Sequence, residues 1–243
     1  SEAPQAVEAV HAAYIESGAN VITSNSYAVV PFHIGEARFA AEGEALAALA
    51  GELARRAVDA SGKPVRVAGS LPPLFGSYRP DRFEAARVSE LLTPLVKGLA
   101  PHVDLWLAET QSSIAEARAI HAGLPKDGKP FWLSFTLKDE DTDDVPRLRS
   151  GEPVAEAAAV AAELGVQTLL FNCSQPEVIG AAIDAARQTF ARLAVDIHLG
   201  AYANAFPPQP KEATANDGLD PLRDDLDPPG YLHWAIDWQQ RGA

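Results

Sequence analysis

Two hydrophobic patterns alternate along this chain, and their alternation predicts its elements. In the first, apolar residues recur every three to four positions, which is typical of a helix with one buried face. The second is a short, nearly continuous apolar run, which is typical of a strand covered on both faces. The first pattern predicts helices over 4–17, 37–60, 83–100, 113–122, 154–164, 178–193 and 232–240. The second predicts strands over 20–25, 65–69, 103–109, 130–136, 166–172 and 194–201.

The strict alternation of strand and helix indicates a parallel sheet with right-handed crossovers. The first strand is not followed by Gly-x-Gly-x-x-Gly, and the chain has no complete Gly-x-x-x-x-Gly-Lys-Ser/Thr segment, so dinucleotide-binding and P-loop folds lack their motifs. A (β/α)8 TIM barrel without its first and last strands explains the order better, because a helix precedes the first strand. We therefore expect residues 1–243 to form a single barrel domain that is incomplete at both ends.

Composition and charge narrow the classes of function. Hydrophobic residues make up 47% of the 243 residues, which is enough for a sizeable core. A net charge of −13 without a basic stripe disfavours nucleic acid and anionic membrane as partners. The longest apolar runs are far shorter than the roughly 20 residues of a membrane span. One cysteine excludes an internal disulfide and fits a reducing compartment, so we expect a cytoplasmic protein; the sequence does not indicate an oligomeric state.

Polar side chains gather where the predicted strands end. In a parallel barrel these ends converge on one mouth, which is where barrel enzymes build their sites. Each of these residue types is also common in turns and helix caps, so the evidence for a site is their repetition after most of the strands. The positions are Thr23, Asn25, Ser26, Ser70, Glu109, Thr110, Ser134, Thr136, Asn172, Cys173, Ser174, Tyr202 and Asn204.

Two of these residues have distinctive chemistry. Cys173 follows an apolar strand, where a thiol can be a nucleophile or a metal ligand, although a lone cysteine more often packs in the core. Glu109 closes another apolar strand, where a carboxylate is costly to bury unless it is paired or functional. Glu109 can equally be an N-terminal acid of the following helix. A third feature, the acidic run over 139–144, is interpreted as a solvated loop rather than a metal site.

Several segments, taken in order, resemble the homocysteine S-methyltransferase family. The most specific combination is Asn-Cys-x-x-Pro with Glu-Thr and Ser-Asn-Ser-Tyr. The segments are AVEAVHAAYIESGANVITSNSY at 6–27, VAGSLPP at 67–73, LAETQSSIAEARA at 107–119, FWLSFT at 131–136, LLFNCSQPEVI at 169–179 and AYAN at 201–204. The family's Asp-Gly-Gly on the first strand and Gly-Gly-Cys-Cys on the eighth have no counterpart here. The loop LPPLFGSYRPD at 71–81 also departs from the family pattern, which leaves donor recognition open.

The resemblance implies a zinc-dependent enzyme that moves a methyl group from a sulfonium or ammonium donor, most simply one like S-methylmethionine, to homocysteine and so forms methionine. It implies that Cys173 is one ligand of a Zn²⁺ ion, with the other ligands expected beyond Ala243. Glu109 would bind the substrate ammonium. The remaining implied substrate-binding residues, which would order the site or offer an aromatic face to a cationic donor, are Asn25, Asn172, Tyr202, Asn204 and Tyr78.

Two alternatives stay open on the residues alone. One is a barrel lyase or hydrolase in which Cys173 is the nucleophile and Glu109 the acid or base. The other is a non-catalytic barrel that binds an amino acid. Zinc in the intact protein separates the methyltransferase from the first alternative, and paired cysteines beyond residue 243 separate it from the second.

Overall fold

The computed structural model describes residues 3–139, 145–208 and 221–243. Its strands are β1 (Val21–Thr23), β2 (Arg66–Leu71), β3 (Leu105–Gln111), β4 (Phe131–Phe135), β5 (Thr168–Asn172) and β6 (His198–Tyr202). Its α-helices are α1 (Pro4–Glu16), α2 (Pro31–Ile34), α3 (Glu36–Ser61), α4 (Val88–Leu99), α5 (Ile114–Gly123), α6 (Val154–Glu163), α7 (Pro176–Leu193) and α8 (Pro228–Arg241).

The predicted strands are all present, and the differences from prediction are shifted element ends and one additional short helix. Strand β6 begins at His198 rather than at 194, because Ala194 adopts a left-handed backbone (φ +53°) that ends α7. Helix α2 was not predicted, since four residues are too short to show a helical period. Helix α8 begins at Pro228 rather than at 232, because the Asp227 side chain accepts a hydrogen bond from Gly230 N–H and caps it.

The described residues divide into two compact units. One comprises Ser1–Phe75, Phe83–Ala108 and Ala119–Phe131, and the other comprises Gly76–Arg82, Glu109–Arg118 and Trp132–Ala243. Strand β3, helix α5 and strand β4 therefore each have residues in both units, β4 through Phe131 alone. The prediction of one barrel domain remains a prediction.

In the first unit, β1, β2 and the start of β3 pair in parallel and in chain order. Ile22 is in register with Val67, and Ala68 with Leu105. The Asp104 side chain accepts hydrogen bonds from Val67 N–H (2.7 Å) and from Arg55 (2.6 Å), so one carboxylate ties β2 and α3 to the start of β3.

Helices α3 and α4 cross in the first unit at unusually close range, and Gly98 makes this possible. A Cβ atom at Gly98 would lie 2.4 Å from the Glu44 carbonyl oxygen and 2.7 Å from Ala48 N. Both neighbours are backbone atoms of α3, which cannot rotate away. The two helices therefore pack at this distance only because residue 98 has no side chain.

In the second unit, β4, β5 and β6 pair in parallel and in chain order. Phe135 is in register with Phe171, and Asn172 with Tyr202. The end of β3 joins this sheet, because the Gln111 carbonyl accepts a hydrogen bond from Thr136 N–H at 3.0 Å. The carboxyl ends of β3, β4, β5 and β6 therefore lie side by side in this unit.

The fold class follows from these strand orders. Parallel neighbours in chain order, with a helix in each connection, form the α/β arrangement of a (β/α)8 barrel, of which the described residues supply six strands. This confirms the fold class predicted from the sequence. None of the helices in the described part of the chain is long and apolar enough to cross a membrane.

We expect Gly98→Ala to destabilise the protein by about 1–3 kcal/mol, because the new methyl group meets fixed backbone. Gly43→Ala is a matched control in the middle of α3, where the new methyl would meet only the Phe39 ring at 3.1 Å. There the better helix propensity of alanine, about 1 kcal/mol, offsets the contact. Urea unfolding measures both; equal losses of stability would contradict this account of the helix crossing.

Candidate active site

The Asn172 side chain is the centre of a hydrogen-bond network at the carboxyl ends of β3, β4 and β5. Its Oδ1 accepts from Thr110 N–H (3.2 Å) and from the Ser134 hydroxyl (2.7 Å). Its Nδ2 donates to Thr110 Oγ1 (2.8 Å) and to Cys173 Sγ (3.1 Å). Asn172, Thr110 and Ser134 are fully buried, so this amide has satisfied partners on every side and fixes the three strand ends together.

Three residues around the Cys173 thiol, Cys173 included, have a left-handed backbone that is unusual for a residue with a side chain. They are Tyr78 (φ +63°), Thr110 (φ +60°) and Cys173 (φ +50°). For a β-branched residue such as Thr110 this conformation is especially costly, and such strain persists only where the surroundings fix it. The backbone is thus bent at the points that aim the Thr110 and Tyr78 hydroxyl groups at the Cys173 thiol.

Glu109 and Tyr202 form the second polar pair. The Tyr202 hydroxyl donates to Glu109 Oε2 at 3.1 Å. Burial, and next the Glu109 charge, raise the pKa of Tyr202 well above its ordinary value. The phenol therefore keeps its proton and remains a donor, which leaves Glu109 as the acceptor and fixes the direction of its carboxylate.

The electrostatics of the site oppose a thiolate at Cys173. Burial raises the pKa of the Cys173 thiol most, and the nearby Glu109 carboxylate raises it further. Hydrogen bonds from Thr110, Tyr78 and Asn172 lower that pKa without reversing the shift. Positive charge brought close to Glu109 and Cys173 would relieve this opposition.

Tyr78 is held in place by a buried ion pair. The Arg149 guanidinium carbon lies over the Tyr78 ring, 4.8 Å from its centroid. Arg149 pairs with Asp139 at 2.8 Å, and the two side chains are only 11% and 1% exposed. The other oxygen of Asp139 accepts Gln175 N–H (3.0 Å), two residues after Cys173. One face of the Tyr78 ring is therefore already covered by a cation from this chain.

The end of β6 is fixed by Tyr231 from helix α8. The Tyr231 hydroxyl accepts a hydrogen bond from Ala203 N–H (2.8 Å) and donates to the Ala203 carbonyl (3.2 Å). The buried residue Asn204 is joined to the end of β5 through its backbone, which donates to the Ser174 carbonyl at 2.9 Å. These contacts hold the segment that carries Tyr202.

The structure brings most of the predicted site residues together in the second unit. Direct contacts join Tyr78, Asn172 and Cys173, and Glu109 lies beside both Cys173 and Tyr202. Asn25 lies in the first unit, exposed after β1, between two serines that bind each other and the end of β2.

The sequence analysis missed the ion pair beneath Tyr78. Arg149 gave no signal, because it follows no strand and fits no motif. Asp139 was assigned to a solvated acidic loop, and that prediction is wrong for this residue, since its side chain is buried against Arg149. Residues 140–144 of the same run lie outside the described residues.

Glu109 is not a cap of helix α5. Its carboxylate binds Tyr202, whereas the first N–H groups around the start of α5 are taken by two other carboxylates, those of Glu116 and Glu152. The helix-capping role that the sequence left open for Glu109 is therefore performed by Glu116 and Glu152.

We expect Glu109→Gln to lower the pKa of the Cys173 thiol, because the substitution removes the negative charge that opposes its ionisation and keeps an acceptor for Tyr202. Cys173 is the one cysteine of the sequence, so the pH dependence of alkylation by iodoacetamide in metal-free protein reports it alone. Glu163→Gln, at an exposed ion pair with Arg118, is the control. An alkylation midpoint that stays in place in the Glu109 variant would contradict the electrostatic account.

The chain was compared with known families and structures. The model of the family described as homocysteine S-methyltransferase matches residues 1–243. Homocysteine S-methyltransferase 3 of Arabidopsis thaliana is 31% identical over 218 residues, which is 76% of this chain and 61% of the relative. This chain thus spans 61% of the length of that curated relative.

Two solved structures of the homocysteine methyltransferase MmuM from Escherichia coli are similar to this chain. The metallated form is 27% identical and the oxidised form 25% identical, each with a TM-score of 0.74. Each match covers 99% of this chain and 78% of MmuM. With the family match over all 243 residues and the motifs at the strand ends, these findings identify the chain as a member of the homocysteine S-methyltransferase family.

Proposed function

We propose that this protein transfers a methyl group from a sulfonium or ammonium donor, one like S-methylmethionine, to the sulfur of homocysteine and so forms methionine. The observation that carries the proposal is the oriented Glu109 carboxylate beside Cys173 at the ends of neighbouring strands. Family membership supports the same reaction. Both substrates are small molecules, and the net charge of −13 argues against nucleic acid as a partner. We also propose a cytoplasmic location, because the single cysteine is a free thiol, as is usual in a reducing compartment.

Glu109 would hold the homocysteine ammonium group. Its carboxylate is half-buried and held by Tyr202, which stays protonated, so little reorganisation is needed when the substrate binds. A hydrogen bond to a charged partner in such a place contributes about 1.5–3 kcal/mol. Binding there would also neutralise the charge that opposes a thiolate in the site.

Methyl transfer forms a bond between the homocysteine sulfur and the methyl carbon as the bond from that carbon to the donor sulfur or nitrogen breaks. The electron pair of the broken bond stays on the donor atom, which becomes neutral. The thiol must first lose its proton, and an unperturbed thiol has a pKa of about 8.5. The Glu109 carboxylate favours a cationic donor over a neutral one, and a fixed orientation of both substrates would supply much of the remaining rate.

Zinc is part of the proposal, and the residues described here do not complete a zinc site. A zinc centre takes three or four protein ligands. Cys173 is the one thiol of the chain, and no three His, Cys, Asp or Glu side chains of residues 3–139, 145–208 and 221–243 are grouped to hold a metal. MmuM has been solved in a metallated form. We propose that Cys173 contributes one thiolate ligand in the intact protein; bound zinc would there favour the thiolate form of the substrate sulfur.

The alternative in which Cys173 is itself the nucleophile has less support. A nucleophilic cysteine needs a lowered pKa or an adjacent base. The thiol pKa of Cys173 is raised, and Glu109, the acid or base of that alternative, adds to the rise through its charge and accepts the Tyr202 hydroxyl. The groups that bond to the thiol are not bases near neutral pH; they are Thr110, Asn172 and Tyr78.

Glu109→Gln in the intact protein is expected to weaken homocysteine binding tenfold to a hundredfold, roughly the 1.5–3 kcal/mol of a charge-assisted contact. Calorimetry of homocysteine binding measures the effect, and circular dichroism checks that the fold is retained. Glu163→Gln is the control on an exposed helix. Unchanged homocysteine affinity would remove Glu109 from the substrate site.

Cys173→Ser in the intact protein is expected to abolish both bound zinc and methyl transfer, since serine is a poor zinc ligand. Metal analysis under reducing conditions should find about one zinc per wild-type chain, and mass spectrometry should detect methionine from homocysteine and S-methylmethionine. A wild-type protein without zinc, or an active serine variant that retains zinc, would contradict the zinc role of Cys173. A wild type that binds homocysteine but forms no methionine with either a sulfonium or an ammonium donor would favour the non-catalytic alternative.

A further inference from the structure

A buried carboxylate next to the candidate site has no part in the reaction proposed above. Glu116, in the first turn of α5, is only 3% exposed. Its Oε2 accepts hydrogen bonds from Ser112 N–H (2.7 Å), Ser113 N–H (2.9 Å) and the Ser113 hydroxyl (3.2 Å). Glu116 N–H and Ser113 Oγ are also 3.2 Å apart. This reciprocal arrangement is a capping box, here buried rather than on a surface.

The other oxygen of Glu116 is in a different situation. Oε1 is buried and has no hydrogen-bond partner among the described residues. Glu152 lies close by, where its carboxylate accepts Ile114 N–H at 2.9 Å. Burial, helped by the charge of Glu152, raises the pKa of Glu116 to about 7, while the three bonds at Oε2 act in the opposite direction. A single proton on Glu116 is therefore gained or lost near neutral pH.

The turn that Glu116 holds is continuous with Glu109. Gln111 Nε2 donates to the Glu109 carbonyl (2.9 Å), and the Ser112 carbonyl accepts Ser150 N–H (3.0 Å). Thr110, which lies between Glu109 and Gln111, has the strained, left-handed backbone that needs a fixed environment. The carboxylate of Glu116 binds the two N–H groups that directly follow Gln111. If these hydrogen bonds weaken, the turn is less well ordered, and the direction of the Glu109 side chain is less defined.

We propose that Glu116 is a positioning residue for Glu109: its carboxylate holds the turn after β3 in the conformation that presents Glu109 to the amino-acid substrate, and one proton on Glu116 sets how firmly the turn is held. The proposal rests on the proposed function in one respect, which is that Glu109 binds homocysteine. Hydrogen bonds to an ionised carboxylate are roughly twice as strong as those to a neutral one. The turn is thus held more firmly above pH 7 than below it.

Global stability changes with pH in the opposite sense. The folded-state pKa of Glu116, about 7, lies above its ordinary value of 4.5. The stability linked to its proton is therefore fully present below pH 4.5 and is lost as the pH rises through about 7. Besides Glu116 and the facing Glu152, the groups that contact this carboxylate are serine hydroxyl and backbone N–H groups, which do not titrate in this range.

The first experiment measures thermal unfolding of the intact protein between about pH 5 and pH 8. Glu116→Gln keeps an acceptor at the Oε2 position and cannot ionise, so we expect its loss of melting temperature across this range to be smaller than that of the wild type. Glu156→Gln, exposed in the first turn of α6, is the matched control and should follow the wild type. Identical pH profiles for all three proteins would overturn the role of the Glu116 proton.

The second experiment measures homocysteine binding by calorimetry at both ends of this range. At about pH 8 we expect Glu116→Gln to bind homocysteine several-fold more weakly than the wild type, and near pH 5 the two should agree, with kcat at saturation little changed. Ser113→Ala, which removes one partner of Oε2, should shift binding in the same direction by less. Glu152→Gln separates positioning from helix capping, because it changes the cap at Ile114 and keeps the Glu116 carboxylate. It also removes a charge that raises the pKa of Glu116, so Glu116 is more fully ionised in this variant and homocysteine binding at about pH 8 should match the wild type.

Equal homocysteine affinity of Glu116→Gln and wild type at both pH values, or an equal loss in Glu152→Gln, would overturn the positioning role. A wild type that binds no homocysteine at either pH would overturn the proposed function and this inference with it. Binding by the wild type without a difference between variants would overturn this inference alone.

Discussion

The side-chain amide of Asn172 is the interaction on which the candidate site depends. It uses both lone pairs of its oxygen and both protons of its nitrogen, and its partners come from the ends of three strands. An amide is suited to this place because it donates and accepts at once without a charge, so it can be fully buried at low cost. Aspartate would have no donor for the Cys173 sulfur, and leucine would remove the acceptor of Thr110 N–H and of the Ser134 hydroxyl.

A second constraint is the sign of the charge at the site. Burial and the Glu109 carboxylate both oppose a further negative charge, and they raise the pKa values of Cys173 and Tyr202. Such surroundings favour a bound cation and disfavour the ionisation of a thiol or a phenol. The substrates of the proposed reaction fit this pattern, since one carries an ammonium group and the other a sulfonium or quaternary ammonium. The proposed reaction would thus depend on charge brought in with the substrates and the proposed zinc ion rather than on positive charge from the described residues.

The sequence predicted the parts of the site that follow from strand position. Cys173, Glu109 and Tyr202 stand at strand ends, and the parallel topology alone brings such residues to one edge. The sequence could not predict contacts made by residues between elements. Arg149 covers the Tyr78 ring from a segment without periodicity, and Asp139 is buried although its neighbours in sequence are acidic. Side-chain pairing of this kind depends on loop paths, which no hydrophobic pattern records.

The left-handed backbone at Tyr78, Thr110 and Cys173 has a consequence for directed evolution. Glycine at any of the three positions would relieve backbone strain, since it adopts this conformation at no steric cost. Each such glycine would also remove a hydroxyl or the thiol from the hydrogen bonds around Asn172 and Cys173, and this loss costs stability. Selection for heat resistance therefore meets opposing effects at these three codons, because glycine relaxes the backbone and at the same time removes polar groups of the candidate site.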